Sequence, residues 1–189
     1  MLINDQKTAL RKQLLSLRDQ ISKHDWKKRS QNLHERFKLT FDISSISCIH
    51  CYISMDQRNE VETLSLIREF IDSGIDVVVP ITVFDTHTLM HTKITSLDDM
   101  HLNKWGVLEP NSIEEVEVNE PELIIVPLVG ADRQKNRLGY GKGFYDRFLS
   151  KTKAIKVGFC FSECLVEAIP VEDFDVPLDY LITDQEVIT

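Results

Sequence analysis

Leu123-Ile124-Ile125-Val126-Pro127-Leu128 is a nearly unbroken apolar run of strand length, followed by a polar segment bearing Asp132, Arg133, Lys135 and Arg137. A strand with one wet face alternates apolar and polar residues. A strand that does not alternate is buried on both faces, as in a sheet covered on each side by helices. Comparable β-rich runs occur at 46–53, 76–80, 89–94 and 154–161. Helical patterns surround them. Leu10, Leu14, Leu17 and Ile21 make one stripe of a helix over 5–21, Ser22 followed by Asp25 caps a second that extends to about 37, and two more cover 61–73 and 143–150. Strands alternating with helices predict an α/β fold with a mainly parallel open sheet, helices on both faces and a Rossmann-like three-layer arrangement. Ligands of such sheets bind beyond the carboxyl ends of the strands.

At 189 residues and 42% hydrophobic content, with no repeat or linker-like tract, the chain reads as one domain, 1–189. No apolar run approaches the roughly 18 residues of a bilayer span, and the first residues carry no signal-peptide core. The expectation is a soluble, cytoplasmic monomer with no membrane partner. Cys48, Cys51, Cys160 and Cys164 then read as reduced thiols. Cys48 and Cys51 have C-x-x-C spacing, but strand residues three apart point to opposite faces, which predicts small buried hydrophobes instead of a metal or redox pair. His50, His87, His91 and His101 fall into no metal or catalytic spacing.

The net charge of −8 disfavours bulk attraction to nucleic acid or an anionic membrane. It is unevenly spread. Residues 1–38 hold ten Lys/Arg against four Asp/Glu, residues 133–156 hold eight against one, and the remainder holds four against twenty-five. Two compact basic segments in an acidic chain suit a small polyanion such as a nucleoside triphosphate; the plain alternative is solvated helix faces.

The second basic segment contains Leu138-Gly139-Tyr140-Gly141-Lys142-Gly143-Phe144-Tyr145-Asp146. Alternate glycines allow positive φ and close backbone approach, and exposed N–H groups leading into a helix form an anion nest. Arg137 and Lys142 bring positive charge to it, and Asp146 stands where a carboxylate can reach a magnesium ion on phosphate oxygens. Lys142 is followed by Gly143 where a P-loop needs Ser or Thr, and the G-x-G-x-G spacing is not the dinucleotide G-x-G-x-x-G.

Arg137-Leu-Gly-Tyr-Gly-Lys-Gly-Phe-Tyr-Asp-Arg-Phe-Leu149 resembles the signature of the 5-formyltetrahydrofolate cyclo-ligases, also called methenyltetrahydrofolate synthetases. The resemblance extends through Lys7-Thr-Ala-Leu-Arg11 with Arg18, Tyr52-Ile-Ser-Met55, Glu60-Val-Glu-Thr63, Trp105-Gly-Val-Leu-Glu-Pro110 and residues 170–179. It implies ATP- and magnesium-dependent closure of 5-formyltetrahydrofolate, in mono- or polyglutamyl form, to 5,10-methenyltetrahydrofolate. One departure bears on loop shape. The family usually has Phe-Asp and a Gly three residues later, where this chain has Ala131-Asp132 and Lys135.

The resemblance also implies roles. Lys7, Arg11 and the segment Arg137, Leu138, Gly139, Tyr140, Gly141, Lys142, Gly143, Phe144 and Tyr145 would hold ATP, with Lys142, Arg137 and Tyr145 at the reacting groups. Asp146 and Asp175 would hold magnesium, and Met55, Glu60 and Trp105 would hold the folate. On helical geometry Lys7, Arg11 and Arg18 share a stripe roughly 70° from the leucine stripe, at the edge of the core. Plainer readings stay open. The cations suit surface ion pairs, Asp175 a solvated loop, Glu60 a helix start and Trp105 the core. Spacing does not separate Asp132 from Asp146 as a metal ligand. A non-catalytic nucleotide- or folate-binding relative and a sugar-phosphate isomerase-like enzyme are the alternatives.

Overall fold

The computed structural model describes residues 2–103 and 106–189. Two helices open the chain, α1 (Ile3–Asp19) and α2 (Lys23–Thr40); the Ser22 hydroxyl caps the second by accepting from the Asp25 amide. Strand β1 (Cys48–Cys51), helix α3 (Leu64–Asp72) and the hairpin of β2 (Asp76–Val83) with β3 (Thr88–Ile94) follow. A short ribbon, β4 (Met100–Leu102) with β5 (Leu108–Pro110), precedes β6 (Leu123–Val126), the tight pair β7 (Gly130–Asp132) and β8 (Arg137–Leu138), and helix α4 (Phe144–Leu149). The chain closes with β9 (Ile155–Cys160), β10 (Leu165–Val166), β11 (Tyr180–Thr183) and β12 (Val187–Ile188).

The main sheet has the order β12-β11-β9-β6-β1-β2-β3. Strands β11, β9, β6, β1 and β2 run parallel, and the two edge strands are antiparallel. The expected mainly parallel sheet is present. Strand β6 stops at Val126 because Pro127 has no N–H to give the ladder.

Burial on two faces explains the unbroken apolar run. Leu123 and Ile125 join Leu33 and Phe37 of α2 and Leu66, Ile67 and Phe70 of α3 on one side, while Ile124 and Val126 join Phe148 and Leu149 of α4 on the other. Each such side chain removed from water is worth about 1.5–3 kcal/mol. The Phe37 ring meets Phe70 and Phe159 edge-on at 6.0 and 5.6 Å, which ties α2 and α3 to β9. The second face is covered by the six residues of α4 and by irregular segments, so the helical cover is unequal. Cys48 and Cys51 lie in separate core clusters, as their opposite strand faces predict, and all four cysteines are free and buried.

Helix α1 lies across the carboxyl edge, packing Leu14 against Val129, Leu138 and Ile169. The approach is close enough to demand glycine at position 130, where a Cβ would stand 2.4 Å from Leu14 Cδ1 and 2.7 Å from the Cys164 carbonyl. Among the described residues no helix is long and apolar enough to cross a membrane.

Candidate active site

From β1 the chain moves through α3 to β2 on one side, whereas from β6 it moves to β9 and β11 on the other. The sheet therefore reverses its winding between β1 and β6, and a crevice opens at the carboxyl ends of adjacent strands that diverge in this way. The segments leaving those two ends carry Met55 and Glu60, and Asp132 through Asp146.

Beyond β1, Met55 enters a 3-10 turn, Asp56–Arg58, which Asn59 ends in the left-handed region at φ 45°. The turn brings Glu60 back beneath it. Glu60 is buried; its Oε2 accepts from the Met55 amide at 2.7 Å, its Oε1 accepts from the Tyr140 hydroxyl, and its carbonyl accepts from Trp26 Nε1. Burial raises its pKa, and the Tyr140 hydroxyl, the Met55 amide and the Arg18 charge offset only part of that rise.

Beyond β6, Asp132 anchors the β7–β8 turn. One oxygen accepts from the amides of Gln134 and Asn136, and the other from Asn136 Nδ2 and the Ile169 amide, at 2.9–3.0 Å. Its lone pairs are committed to the turn and to the Ile169 amide. Lys135 sits at φ 66°, so the left-handed turn that glycine favours persists without glycine. A non-glycine residue in this region costs local strain.

The glycine segment follows. Gly141 and Gly143 have φ of 86° and 67°, and a Cβ on Gly141 would meet the Arg11 guanidinium at 3.1 Å. Arg11 Nε donates to the Gly139 carbonyl at 2.7 Å, so α1 grips the loop from one side. Among the described residues, the amide N–H groups from Gly139 to Phe144 have no protein acceptor, and the exposed Lys142 ammonium has no ion-pair partner. A run of unpaired donors beside a free cation is an anion cradle.

Among the described residues three ion pairs border it, one made by Arg137 and two by Lys7. Arg137 is buried and donates to Asp146 Oδ1; its Nε has no partner, and burial lowers its pKa despite the Asp146 charge. Lys7, buried at the opposite rim, donates to Glu172 at 2.9 Å and to Asp175 Oδ2. Burial acts to lower the Lys7 pKa, yet the two carboxylates together outweigh it and the value is raised. Asp175 also accepts from the Glu172 amide, and the Val176 amide reaches Asp146 at 3.4 Å, which links the two acids through one loop. Among the described residues each keeps an oxygen without a partner, Asp146 Oδ2 and Asp175 Oδ1. Magnesium takes one or two carboxylates and completes its shell with water and phosphate, so this pair fits such an ion. The Tyr145 hydroxyl is buried without a partner, and burial places its pKa well above the usual phenol value.

The fold thus brings Lys7, Arg11, Met55, Glu60, the segment Arg137 to Asp146, and Asp175 to one edge. Within that segment Leu138 and the Tyr140 ring pack toward α1, Phe144 meets Phe84 and His87, and Tyr145 meets Phe148. Trp105 lies outside the described residues. Sequence reasoning did not find the Arg18–Tyr140–Glu60 hydrogen-bond chain or the contact of His50 with His91, because both join residues distant along the chain. A hollow of about 440 Å³ lined by Asn119, Pro121, Glu122, Lys153 and Ala154 lies at the amino ends of β6 and β9, away from this chemistry.

The model of the 5-formyltetrahydrofolate cyclo-ligase family matches residues 3–184. The chain is 35% identical over 136 residues to 5-formyltetrahydrofolate cyclo-ligase of Haemophilus influenzae, spanning 69% of this chain and 72% of that one. It is 31% identical over 142 residues to the Escherichia coli K12 enzyme of the same name, spanning 72% and 77%. The fold is similar to the NMR structure of Aquifex aeolicus 5,10-methenyltetrahydrofolate synthetase, with a TM-score of 0.84 and 27% identity over 96% of this chain and 91% of that one.

Proposed function

This chain belongs to the 5-formyltetrahydrofolate cyclo-ligase family, an enzyme family, and we propose that it closes 5-formyltetrahydrofolate to 5,10-methenyltetrahydrofolate at the expense of ATP, with magnesium, releasing ADP and phosphate. The observation that carries this reading is the run of unpaired amides from Gly139 to Phe144 beside the unpaired Lys142, at the point where the sheet reverses its winding.

A formyl oxygen is a poor leaving group. Transfer of the γ-phosphoryl group onto that oxygen turns it into phosphate; N10 then attacks the formyl carbon, the carbon–oxygen bond breaks and the N10 proton is lost. No protein nucleophile is required, and the four thiols are buried, with pKa values raised by that burial.

The loop amides and Lys142 hold the phosphates and meet the charge that grows on the transferring group. Arg11 and Lys7 flank them from α1. Arg137 Nε and the Tyr145 hydroxyl are donors without acceptors in the protein, suited to the oxygens of the reacting group. Asp146 and Asp175 hold magnesium, whose charge neutralises the phosphates when it is bound. Met55 and Glu60 take the pterin, a carboxylate matching its amino and ring N–H edge, with Trp105 as the third folate residue. In such a site the protein's work is in-line positioning.

An isotope experiment tests the sequence of bonds. With ¹⁸O in the formyl group, the label is expected in the released inorganic phosphate. Label recovered in water, with none in phosphate, contradicts phosphorylation of the formyl oxygen.

A further inference from the structure

Arg18 is 3% exposed, although hydrophobic packing gives no reason to bury a guanidinium at that depth. Its hydrogen bonds give a reason. Nη1 donates to the Leu128 carbonyl at 3.1 Å, just beyond β6, and Nη2 donates to the Tyr140 hydroxyl at 2.7 Å. The Arg18 carbonyl accepts from Asn59 Nδ2 at 3.2 Å, in the turn that carries Met55 and Glu60. Tyr140 in turn donates to Glu60 Oε1. Its ring lies between two guanidinia, Arg18 at 5.7 Å and Arg58 at 5.4 Å from the centroid.

Tyr140 is also flanked by the two glycines that Arg11 grips, through the Gly139 carbonyl and the surface of Gly141. One residue therefore sits in the phosphate loop by its backbone and at the folate carboxylate by its hydroxyl. Among the described residues the loop amides have no protein acceptor; Arg147 holds the Lys142 and Gly143 carbonyls at the far end, and Arg11 with the Arg18–Tyr140–Glu60 chain holds the end nearer the folate carboxylate. A ligand that orders either end lowers what the other ligand must spend on ordering it.

We propose that Arg18 and Tyr140 are positioning residues that couple the two substrate sites, so that nucleotide in the glycine loop tightens folate binding at Glu60, and folate tightens nucleotide binding by the same factor. The proposal rests on the functional reading above and adds regulation to it. Arg18 acts through Tyr140 and touches neither ligand.

Calorimetric titration of the full chain tests the coupling. The Kd of 5-formyltetrahydrofolate is measured alone and with a saturating non-hydrolysable ATP analogue and magnesium, in wild type, Tyr140→Phe and Arg18→Met. Nucleotide is expected to tighten folate binding roughly tenfold in wild type and less than about twofold in either variant. Affinity for nucleotide alone is measured in each variant as well, so that a loss at the loop itself divides out of the ratio. A merely structural role would weaken each affinity and keep the ratio. A wild-type ratio of one, or an undiminished ratio in Tyr140→Phe, overturns the coupling and leaves the functional reading standing. A wild type that binds neither ligand overturns both. Should Arg18→Met fail to fold, Tyr140→Phe decides the question.

Discussion

Lys142 projects from the glycine loop with no counter-ion among the described residues, so its charge is available to a ligand and contributes little to the fold. Lys142→Ala should lower kcat by about 10² or more while leaving the unfolding midpoint unchanged, because a charge aimed at a transition-state phosphoryl group is worth several kcal/mol. Steady-state kinetics with a thermal melt checks both halves, and near-wild-type turnover removes Lys142 from the mechanism. Lys135 shows the opposite balance. It holds a left-handed backbone that costs an L side chain roughly 1–2 kcal/mol, against about 0.5–1 kcal/mol of extra chain entropy for glycine. Lys135→Gly should therefore stabilise the protein by about 0.5–1 kcal/mol in urea titration. No gain would mean that the turn gives up its strain elsewhere. Residue positions were legible where one helix sets them: the spacing of Lys7, Arg11 and Arg18 on α1 predicts their common stripe, and all three meet the cleft edge. The Lys7 pairing with Glu172 and Asp175 joins residues far apart in the chain, which spacing does not reveal.

At the scale of elements, β8 and α4 are joined by the Arg137–Asp146 pair across the glycine loop. Asp146→Asn leaves a buried guanidinium facing a neutral partner. Because Asp146 is 21% exposed, the cost should be about 2 kcal/mol, below that of a fully buried pair. The variant should also need more magnesium for half-maximal rate. An unchanged urea midpoint would show that the pair does not hold the loop, and an unchanged magnesium titration that Asp146 is not a ligand. Elements α1, α2, β6 and β9 were legible because each carries its own signal, a stripe or cap for the helices and an apolar run that extends past the strand for β6 and β9. Strands β11 and β12 were not. Tyr180 to Thr183 is four residues after an irregular segment, and what makes it a strand is its parallel pairing with β9. Strands β7, β8 and β10 are shorter still and depend on the Asp132 turn and on Leu165 meeting Ala131.

The whole molecule has a buried histidine pair between the sheet and α4. His91 Nδ1 and His50 Nε2 are 3.2 Å apart, with both rings against Phe148 and His50 facing Tyr145. Burial lowers His91 to about 4, and burial with the neighbouring ring puts His50 well below its ordinary value. In the unfolded chain each titrates near 6.5, so below that pH the unfolded state binds more protons. Stability is full above pH 6.5 and should fall toward pH 4, by about 1.4 kcal/mol per unit for each histidine. Denaturation curves at pH 7, 6 and 5 check this, and a flat profile would show that the pair is already protonated or solvated.

We propose that the cleft between β1 and β6 uses ATP to cyclise a formylated folate. The most direct test is absorbance in the methenyltetrahydrofolate band after mixing the protein with 5-formyltetrahydrofolate and magnesium, with and without ATP. A rise that requires ATP is the predicted result. An equal rise without ATP, or no rise from a folded protein that binds both ligands, would contradict it.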